Sequence, residues 1–216
     1  MARKNILYIM CDQLRFDYLG CTGHPTIKTP NIDALAKRGV TFANTYCQSP
    51  ICGPSRMSAY TGRYVSSHGS ASNFTPLRIG EKNVGHHLNP LGVKTVLVGK
   101  THVVPDREGL ARLGIDPDGD VARHHAQGGF EPYERDDGIH PDSMVKPTMA
   151  YNEYLKSEGY TEDDNPWHWA ANSVEKEDGE VRSGFFNDRV DRPARVTDEQ
   201  SETPYMTRRA MEFLDE

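Results

Sequence analysis

Two short apolar runs, each followed by polar side chains, constrain the fold of this chain most strongly. The first covers residues 5–11 and ends at Asp12, and the second covers residues 95–98 and is followed by Lys100. An apolar run without polar alternation is typical of a parallel strand that is covered on both faces. We therefore predict an α/β fold with a mainly parallel sheet and helices on both faces of that sheet.

The polar residues after these runs are candidate site residues, because ligands of open α/β sheets bind at the carboxyl ends of strands. Asp12 and Gln13 offer oxygen atoms that suit a hard cation such as Ca²⁺, Mg²⁺ or Mn²⁺; the alternative is that they only cap the next turn. Lys100 and His102 are two residues apart, so in an extended segment they project to the same side. A cation and an imidazole there suit an oxyanion and a leaving-group oxygen; the alternative is a solvated loop.

A third segment, residues 49–63, places a cysteine at the start of a predicted helix. Proline and glycine punctuate the chain up to position 54, and no helix breaker follows between Arg56 and Tyr60. Free N–H groups and the helix dipole stabilise negative charge at such a start, so a thiolate or a bound oxyanion at Cys52 would be favoured. Arg56 lies one helical turn later and can face the same group. The alternative is a buried structural thiol beside an ordinary helix.

Two further polar residues, His68 and Asn73, follow this helix closely enough to line the same crevice. For His68 the alternative is a loop histidine with ordinary surface hydrogen bonds.

Local signals predict a helix over residues 29–39. Thr29 caps it, a proline occupies its first turn, and a glycine ends it. Its inward face is expected to comprise Ile32, Leu35 and Ala36.

Three more elements follow from pattern alone. Residues 40–46 are rich in β-branched and aromatic side chains, which predicts a strand leading into the Cys52 segment. The pair Asp178 and Gly179 predicts a hairpin turn. Residues 203–214 predict an amphipathic helix whose buried face comprises Met206, Ala210, Phe213 and Leu214.

Composition limits the partners that this chain is expected to have. Its 216 residues carry a net charge of −6, so no global attraction to nucleic acid or to an anionic membrane is expected. No apolar run approaches the roughly 20 residues of a membrane span, and the N-terminal run is too short for a signal sequence. We therefore expect a cytoplasmic protein. The 4 cysteines are too few and too scattered for a disulfide framework or a zinc knuckle.

Two of these segments resemble the signatures of the sulfatase family, within the alkaline-phosphatase-like superfamily. Residues 52–62 resemble its Cys-x-Pro-Ser-Arg…Thr-Gly pattern, and residues 92–102 resemble its second pattern, Gly-x-x-Thr…Gly-Lys-x-His. Ala59 is smaller than the usual residue of the first pattern. Gln13 stands where the family usually has an acidic residue. A similar Asp-Gln pair occurs in the choline-sulfatase-like and phosphonate-monoester-hydrolase-like branches.

The resemblance implies two cofactors. A formylglycine-generating enzyme would oxidise Cys52 to formylglycine, whose hydrate is the nucleophile. A divalent metal would be held by Asp12, Gln13 and Cys52, with Ca²⁺ favoured and Mn²⁺ or Mg²⁺ as alternatives. One carboxylate fewer than usual leaves the identity of the metal open.

The resemblance also implies roles in hydrolysis of a small-molecule sulfate ester. Arg56 would fix the nucleophile, Lys100 would neutralise sulfate oxygens, and His102 would meet the leaving group. His68 would assist the release of sulfate, and Asn73 would contact the substrate together with Lys100 and His102. Phosphonate monoester or phosphodiester hydrolysis at the same site stays open, as do a non-catalytic metal-binding relative with an unmodified Cys52 and, more weakly, a plain cysteine hydrolase. A homo-oligomer is possible.

The expected organisation has three parts. Residues 1–104 would form the N-terminal part of the catalytic α/β domain, residues 105–202 a loop-rich region around the substrate pocket, and residues 203–216 a helix returning to the core. Because two strands do not make a covered sheet, we expect the chain to be the N-terminal part of a longer polypeptide. The remaining metal ligands would then lie beyond Glu216, and the segment alone would be inactive.

Overall fold

The structure is a computed structural model that describes residues 5–136, 150–162, 166–183 and 192–216. Short helices dominate these residues. The α-helices are α1 (Pro30–Arg38), α2 (Cys52–Thr61), α3 (Val65–His68), α4 (Val84–Leu88), α5 (Arg107–Arg112), α6 (Asp120–Ala126), α7 (Ala150–Ser157) and α8 (Glu202–Asp215). Tighter 3-10 turns occur at Phe16–Tyr18, Gly20–Thr22 and Asn89–Leu91, and Trp167–Ala171 forms a π-helical turn.

Two small sheets are present in the described part of the chain. β1 (Val96–Gly99) pairs in parallel with β2 (Glu131–Arg135), with an irregularity in register between Leu97 and Val98. β3 (Ser173–Glu175) pairs antiparallel with β4 (Val181–Ser183). The second apolar run therefore forms the predicted parallel strand, although β1 is half-buried rather than fully buried. The predicted hairpin turn at residues 178–179 is confirmed.

The first apolar run does not form the predicted buried strand. Residues 5–11 carry no strand assignment, and Ile6 is 87% exposed. The predicted strand over residues 40–46 is likewise absent, and Phe42 is exposed. A strand needs a neighbour that accepts and donates its backbone hydrogen bonds, and an apolar strand also needs a covering layer. Within the described ranges, no segment supplies a pairing strand or a covering layer to residues 5–11 or 40–46. The sequence pattern alone therefore predicted two strands that do not form.

Helix α1 forms within the predicted bounds, but its surroundings differ from the prediction. Thr29 does not cap the helix with its side chain; its hydroxyl instead accepts from the backbone N–H of Gly20 and donates to Asp33. None of the residues of α1 is buried, and Ile32 and Leu35 are exposed. Capping and propensity determine a helix locally, whereas burial requires a partner surface, which the described residues do not provide here.

In the part of the chain that the structure describes, the core consists of three separate clusters of buried side chains. Helix α2 packs by Met57 and Tyr60 against Leu77 and Val103. A second cluster joins α5 to α6. The third, which we call the aromatic cluster, comprises Tyr151, Leu155, Trp167, Ala170 and Tyr205.

The C-terminal helix packs against the parallel sheet. Arg209 of α8 pairs with the buried carboxylate of Glu134 at 3.0 Å, and Phe213 packs on Tyr133. Its buried residue is Tyr205, whereas Leu214, which was predicted to be buried, is exposed. Among the described helices, none combines the length and apolar character needed to cross a bilayer.

Candidate active site

Arg56 joins three segments that are far apart in the chain. Its side chain is 5% exposed, because α2 buries six of its ten residues. One guanidinium nitrogen, Nη1, donates to the backbone oxygen of Lys100 at 2.7 Å, and Nη2 lies 3.7 Å from Oδ1 of Asp12. The planar guanidinium is therefore fixed between the end of β1 and the segment that follows residues 5–11.

Asp12 completes this arrangement from the opposite side. Its Oδ2 accepts a hydrogen bond from Nζ of Lys100 at 2.7 Å, and its carboxylate also has a hydrogen bond with Cys52. Partial burial alone would raise the pKa of Asp12, but the hydrogen bond and charge of Lys100, together with the charge of Arg56, outweigh it and lower that pKa. Asp12 is therefore ionised at neutral pH. We call Asp12, Cys52, Arg56 and Lys100 the polar cluster.

Cys52 is the first residue of α2, and a distant side chain caps this helix start. Ile51 at the cap position offers no side-chain hydrogen bond; instead, Oδ1 of Asn73 accepts from the backbone N–H of Gly53 at 2.8 Å. A Cβ at Gly53 would lie 3.2 Å from Cα and Oδ1 of Asn73, so the close approach favours glycine at this position. The N–H donor also fixes the orientation of the amide, since only its oxygen can face Gly53.

The backbone is strained at both predicted strand ends. Gln13 has a φ of 48° and His102 a φ of 52°, and they are the two non-glycine residues with positive φ in the described part of the chain. Such conformations are uncommon for non-glycine residues and concentrate at functional sites. The positive φ of His102 means that the backbone is not extended at that residue, so the assumption of an extended segment from Lys100 to His102 does not hold throughout.

His68 is buried and engaged through both ring nitrogens. Nδ1 accepts from the backbone N–H of Ser70 at 3.1 Å, so the proton of the neutral ring is on Nε2, which lies 3.0 Å from Oγ of Ser58. Burial lowers the pKa of His68, which favours this neutral form. Ser58 lies six residues after Cys52, about 9 Å along the helix. His68 therefore lies beside α2 near Ser58, and both of its ring nitrogens are already bonded. Neither nitrogen is available in this arrangement for the predicted role in the release of sulfate.

The sulfatase family model matches residues 4–117, which is more than half of the chain. The chain belongs to the sulfatase family.

The relatives of this sulfatase-family chain are much longer than the chain itself. An ulvan-active sulfatase of Formosa agariphila is 43% identical over 101 residues, which cover 47% of this chain and 20% of that protein. The multifunctional alkaline phosphatase superfamily protein PehA of Trinickia caryophylli is 31% identical over 223 residues, covering 99% of this chain and 39% of that protein. The chain therefore spans about a fifth to two fifths of these relatives.

The fold comparison agrees with the family assignment. A phosphonate monoester hydrolase from Silicibacter pomeroyi matches with a TM-score of 0.69 and 26% identity over 97% of this chain and 38% of that chain. The hydrolase of the same name from Agrobacterium radiobacter gives a TM-score of 0.69 at 24% identity, covering 95% of this chain and 36% of that one. The alkaline-phosphatase-like fold that the sequence predicted is thereby confirmed.

The sulfatase family generally uses a metal ion, and the chain supplies part of a suitable donor set. Asp12 and Gln13 offer hard oxygen donors, and Cys52 adjoins them through its hydrogen bond with Asp12. Within the described ranges, no group of three or more His, Cys, Asp or Glu residues converges in a way that could hold a metal. The donors therefore fit a hard cation in kind, but they form an incomplete coordination shell.

One contributor to the site was missed by sequence reasoning. The hydroxyl of Tyr60 lies 3.5 Å from Nη1 of Arg56 and 3.3 Å from the backbone oxygen of Lys100. Tyr60 follows Arg56 by four residues, the spacing that places two side chains on one helix face, so this spacing could have identified it.

A cavity of about 600 Å³ lies elsewhere in the molecule and shares no residue with the polar cluster. Its lining includes Lys94, Arg123, Gln127, Phe130 and Arg135. The converging charges, together with the strained backbone at Gln13 and His102, make the polar cluster the candidate active site, whereas cavity size does not.

Proposed function

We propose that this sulfatase-family protein hydrolyses a sulfate monoester, with a formylglycine derived from Cys52 as the nucleophilic group. The polar cluster carries the proposal: the residue at position 52 begins a helix and has a hydrogen bond with Asp12, and Arg56 and Lys100 both contact that carboxylate. When formed, formylglycine would supply a hydrated aldehyde, a nucleophile that an unmodified thiol does not offer.

The charge of the polar cluster fits an anionic ester. Arg56 and Lys100 contribute two positive charges and Asp12 one negative charge, and a bound divalent cation would add two more, so the site carries an excess of positive charge for an anionic substrate. A sulfate monoester carries one negative charge. As the bond to the leaving group breaks, negative charge spreads over the sulfate oxygens and the leaving oxygen, and positioned cations stabilise that charge more than they stabilise the ground state.

Each residue of the proposed site then has a separate task. Arg56 is buried and held through Lys100 and Asp12, so it can orient the group at position 52 with little reorganisation. Lys100 can exchange its contact with Asp12 for a sulfate oxygen. His102, two residues later, would meet the leaving-group oxygen, and the Nδ2 group of Asn73 would donate to the substrate because its Oδ1 is occupied by Gly53.

Asp12 and Gln13 would hold the divalent cation, for which Ca²⁺ is our first candidate and Mn²⁺ and Mg²⁺ the alternatives. Bound there, the ion would lower the pKa of a neighbouring hydroxyl group and so favour its deprotonated form.

Phosphonate monoester hydrolysis is the second candidate. It is favoured by the match to PehA along nearly the whole chain and by the fold match to two phosphonate monoester hydrolases. A phosphonate monoester also carries one negative charge, so the charge balance of the polar cluster does not separate the two substrates. Lys100 and His102 favour sulfate, since they match the second sulfatase pattern.

The test uses the protein in the full form that its host produces, expressed with and without a formylglycine-generating enzyme. Mass spectrometry of the peptide containing Cys52 reports its conversion, and initial rates are compared on para-nitrophenyl sulfate and on a para-nitrophenyl phosphonate monoester. We expect conversion and a higher kcat/KM for the sulfate. Cys52→Ala should abolish turnover, whereas Cys47→Ala, at an exposed cysteine five residues earlier, should not.

Three other results would change the assignment. Faster phosphonate turnover would reverse the order of the two candidates. A free thiol at Cys52 in protein from its host, together with no turnover, would support a non-catalytic metal-binding protein. Turnover that persists with a free thiol would support a cysteine hydrolase.

A further inference from the structure

One hydroxyl group contacts both cationic residues of the polar cluster. The hydroxyl of Tyr60 donates to the backbone oxygen of Lys100 at 3.3 Å and accepts from Nη1 of Arg56 at 3.5 Å. Nη1 of Arg56 also donates to the same backbone oxygen at 2.7 Å. A carbonyl oxygen can accept two hydrogen bonds, so the three groups form a closed ring of contacts. The contacts of the hydroxyl are the longer ones, so its loss should have a smaller effect than loss of the guanidinium.

Packing fixes the ring of Tyr60 in place. Tyr60 is 8% exposed and belongs to the buried cluster that α2 forms. Its ring packs edge to face with Phe130, with centroids 5.3 Å apart and an interplanar angle of 73°. A phenylalanine could make the same apolar contacts, whereas a buried hydroxyl is unfavourable unless it is hydrogen-bonded. The apolar core therefore does not require the hydroxyl, which has its partners in the polar cluster.

The segment that the Tyr60 hydroxyl contacts contains strained backbone. His102, two residues after Lys100, has a φ of 52°. A non-glycine residue keeps such a conformation only where the surrounding contacts determine it. Between the two residues, Thr101 is fully buried, and its hydroxyl donates to the backbone oxygen of Ala126 at 3.3 Å. The hydroxyl of Tyr60 adds a second anchor, on the backbone of Lys100, to the segment that carries both proposed substrate-binding side chains.

We propose that Tyr60 is a positioning residue for the polar cluster: its hydroxyl fixes the plane of the Arg56 guanidinium relative to the backbone of Lys100. The inference rests on the proposed function, in which these two cations stabilise the negative charge that develops on the sulfate group. Cations that are already oriented stabilise this charge without reorganisation. Because the charge spreads as the transition state is approached, loss of orientation should lower kcat more than it raises KM.

The first test compares two buried tyrosines in the full, formylglycine-containing protein. Tyr60→Phe removes the hydroxyl at the polar cluster, and Tyr151→Phe removes one that donates to the backbone oxygen of Gln200 beside the aromatic cluster. On para-nitrophenyl sulfate, we expect Tyr60→Phe to lower kcat by about 3- to 10-fold, as for the loss of one hydrogen bond, with a smaller change in KM. Tyr151→Phe should lower the urea midpoint of unfolding and leave kcat unchanged. An unchanged kcat in Tyr60→Phe, or an equal loss of kcat in both variants, would overturn the inference.

A double-mutant cycle tests whether Tyr60 acts through Arg56. In Arg56→Lys the planar guanidinium is absent, so adding Tyr60→Phe should lower kcat by less than about 2-fold. A merely structural role would not produce this dependence on Arg56. If the two losses of kcat multiply, Tyr60 acts independently of the guanidinium and the inference is wrong.

Binding of inorganic sulfate separates this inference from the proposed function, because it requires neither turnover nor formylglycine. Dissociation constants are measured by calorimetry on the full protein with an unmodified Cys52. Binding that is about 3-fold weaker in Tyr60→Phe and unchanged in Tyr151→Phe would support the inference even if no ester is hydrolysed. Turnover of the sulfate ester with unchanged kcat and unchanged sulfate binding in Tyr60→Phe would retain the proposed function and refute the inference.

Discussion

The polar cluster and the aromatic cluster are built on opposite principles. The polar cluster gathers two cations, a carboxylate and a cysteine, and the side chain of Asp12 remains 48% exposed. The aromatic cluster buries Tyr151 and Leu155 of α7 against Tyr205 of α8. Both clusters join segments that are distant in the sequence, yet only the second gains substantially from the removal of apolar surface from water.

This difference separates chemistry from stability within one chain. Partly exposed ion pairs contribute little to folding, so the charges of the polar cluster are poorly explained as a stabilising device. In contrast, the rings of Tyr154 and Tyr205 stack with centroids 4.9 Å apart, and burial raises the pKa of Tyr151 because ionisation there is disfavoured. Substitutions in the two clusters should therefore move different measurements.

Arg56→Lys should give the largest effect and should act on catalysis. A lysine at position 56 would retain the positive charge. It would lack the planar guanidinium whose two terminal nitrogens contact Lys100 and Asp12 at the same time. We expect kcat for the sulfate ester to fall by about 100- to 1,000-fold, the range observed when one positioned donor is lost. Arg63→Lys is the matched control, since Arg63 is half-exposed and pairs with Glu81 outside the polar cluster. Equal rates for both variants would remove Arg56 from the proposed machinery.

Leu155→Ala should show the opposite behaviour. Leu155 is fully buried in the aromatic cluster, and its truncation should lower the free energy of unfolding by about 2–5 kcal/mol through lost burial and a residual cavity. Urea denaturation measures this change, and kcat well below the melting temperature should be unaffected. Leu214→Ala, at an exposed leucine of α8, should change stability by less than about 0.5 kcal/mol. A comparable loss of kcat in Leu155→Ala would mean that the two clusters are coupled.

Sequence reasoning predicted the elements that depend on local signals. Helix α1 begins after Thr29 and ends just before Gly39, and β1 precedes Lys100, as predicted. Capping residues, β-branched runs and glycine in left-handed conformations act over a few residues, so they can be read without tertiary information. The juxtaposition of Asp12 with Lys100 was also expected, because carboxyl ends of parallel strands meet at one edge.

The remaining features depend on partners that no short pattern specifies. The apolar character of residues 5–11 could not indicate whether a neighbouring strand is present, and these residues are exposed in the described structure. The left-handed backbone at His102 is not indicated by its residue type, and it invalidates the extended geometry assumed for that segment. The closeness of Asn73 in sequence indicated a shared crevice, but no pattern indicated that its side chain would cap α2 through Gly53, 20 residues earlier.

Asn73→Ala gives an intermediate test of this long-range cap. Loss of the bond to Gly53 should lower the free energy of unfolding by about 0.5–2 kcal/mol, the usual cost of an N-cap. The rate should fall as well, because the same helix start holds Cys52. Asn83→Ala is the matched control, since Asn83 caps α4 through the N–H groups of Gly85 and His86. It should lose stability but not kcat; a similar fall in kcat would attribute the effect to general destabilisation.

His68 provides the smallest effect and tests whether the side of α2 belongs to the chemistry or to the scaffold. Because burial lowers its pKa in the folded state, the unfolded chain binds the proton more readily. His68 therefore does not lower the free energy of unfolding above the ordinary histidine pKa of about 6.5. As the pH falls below that value, the unfolded chain takes up the proton and the free energy of unfolding decreases. Unfolding measured across this range should show a weaker pH dependence in His68→Gln, whereas His87→Gln, at an exposed histidine, should retain it. If His68→Gln instead abolishes turnover at neutral pH without changing this dependence, the bonds to Ser58 and Ser70 do not describe its main role.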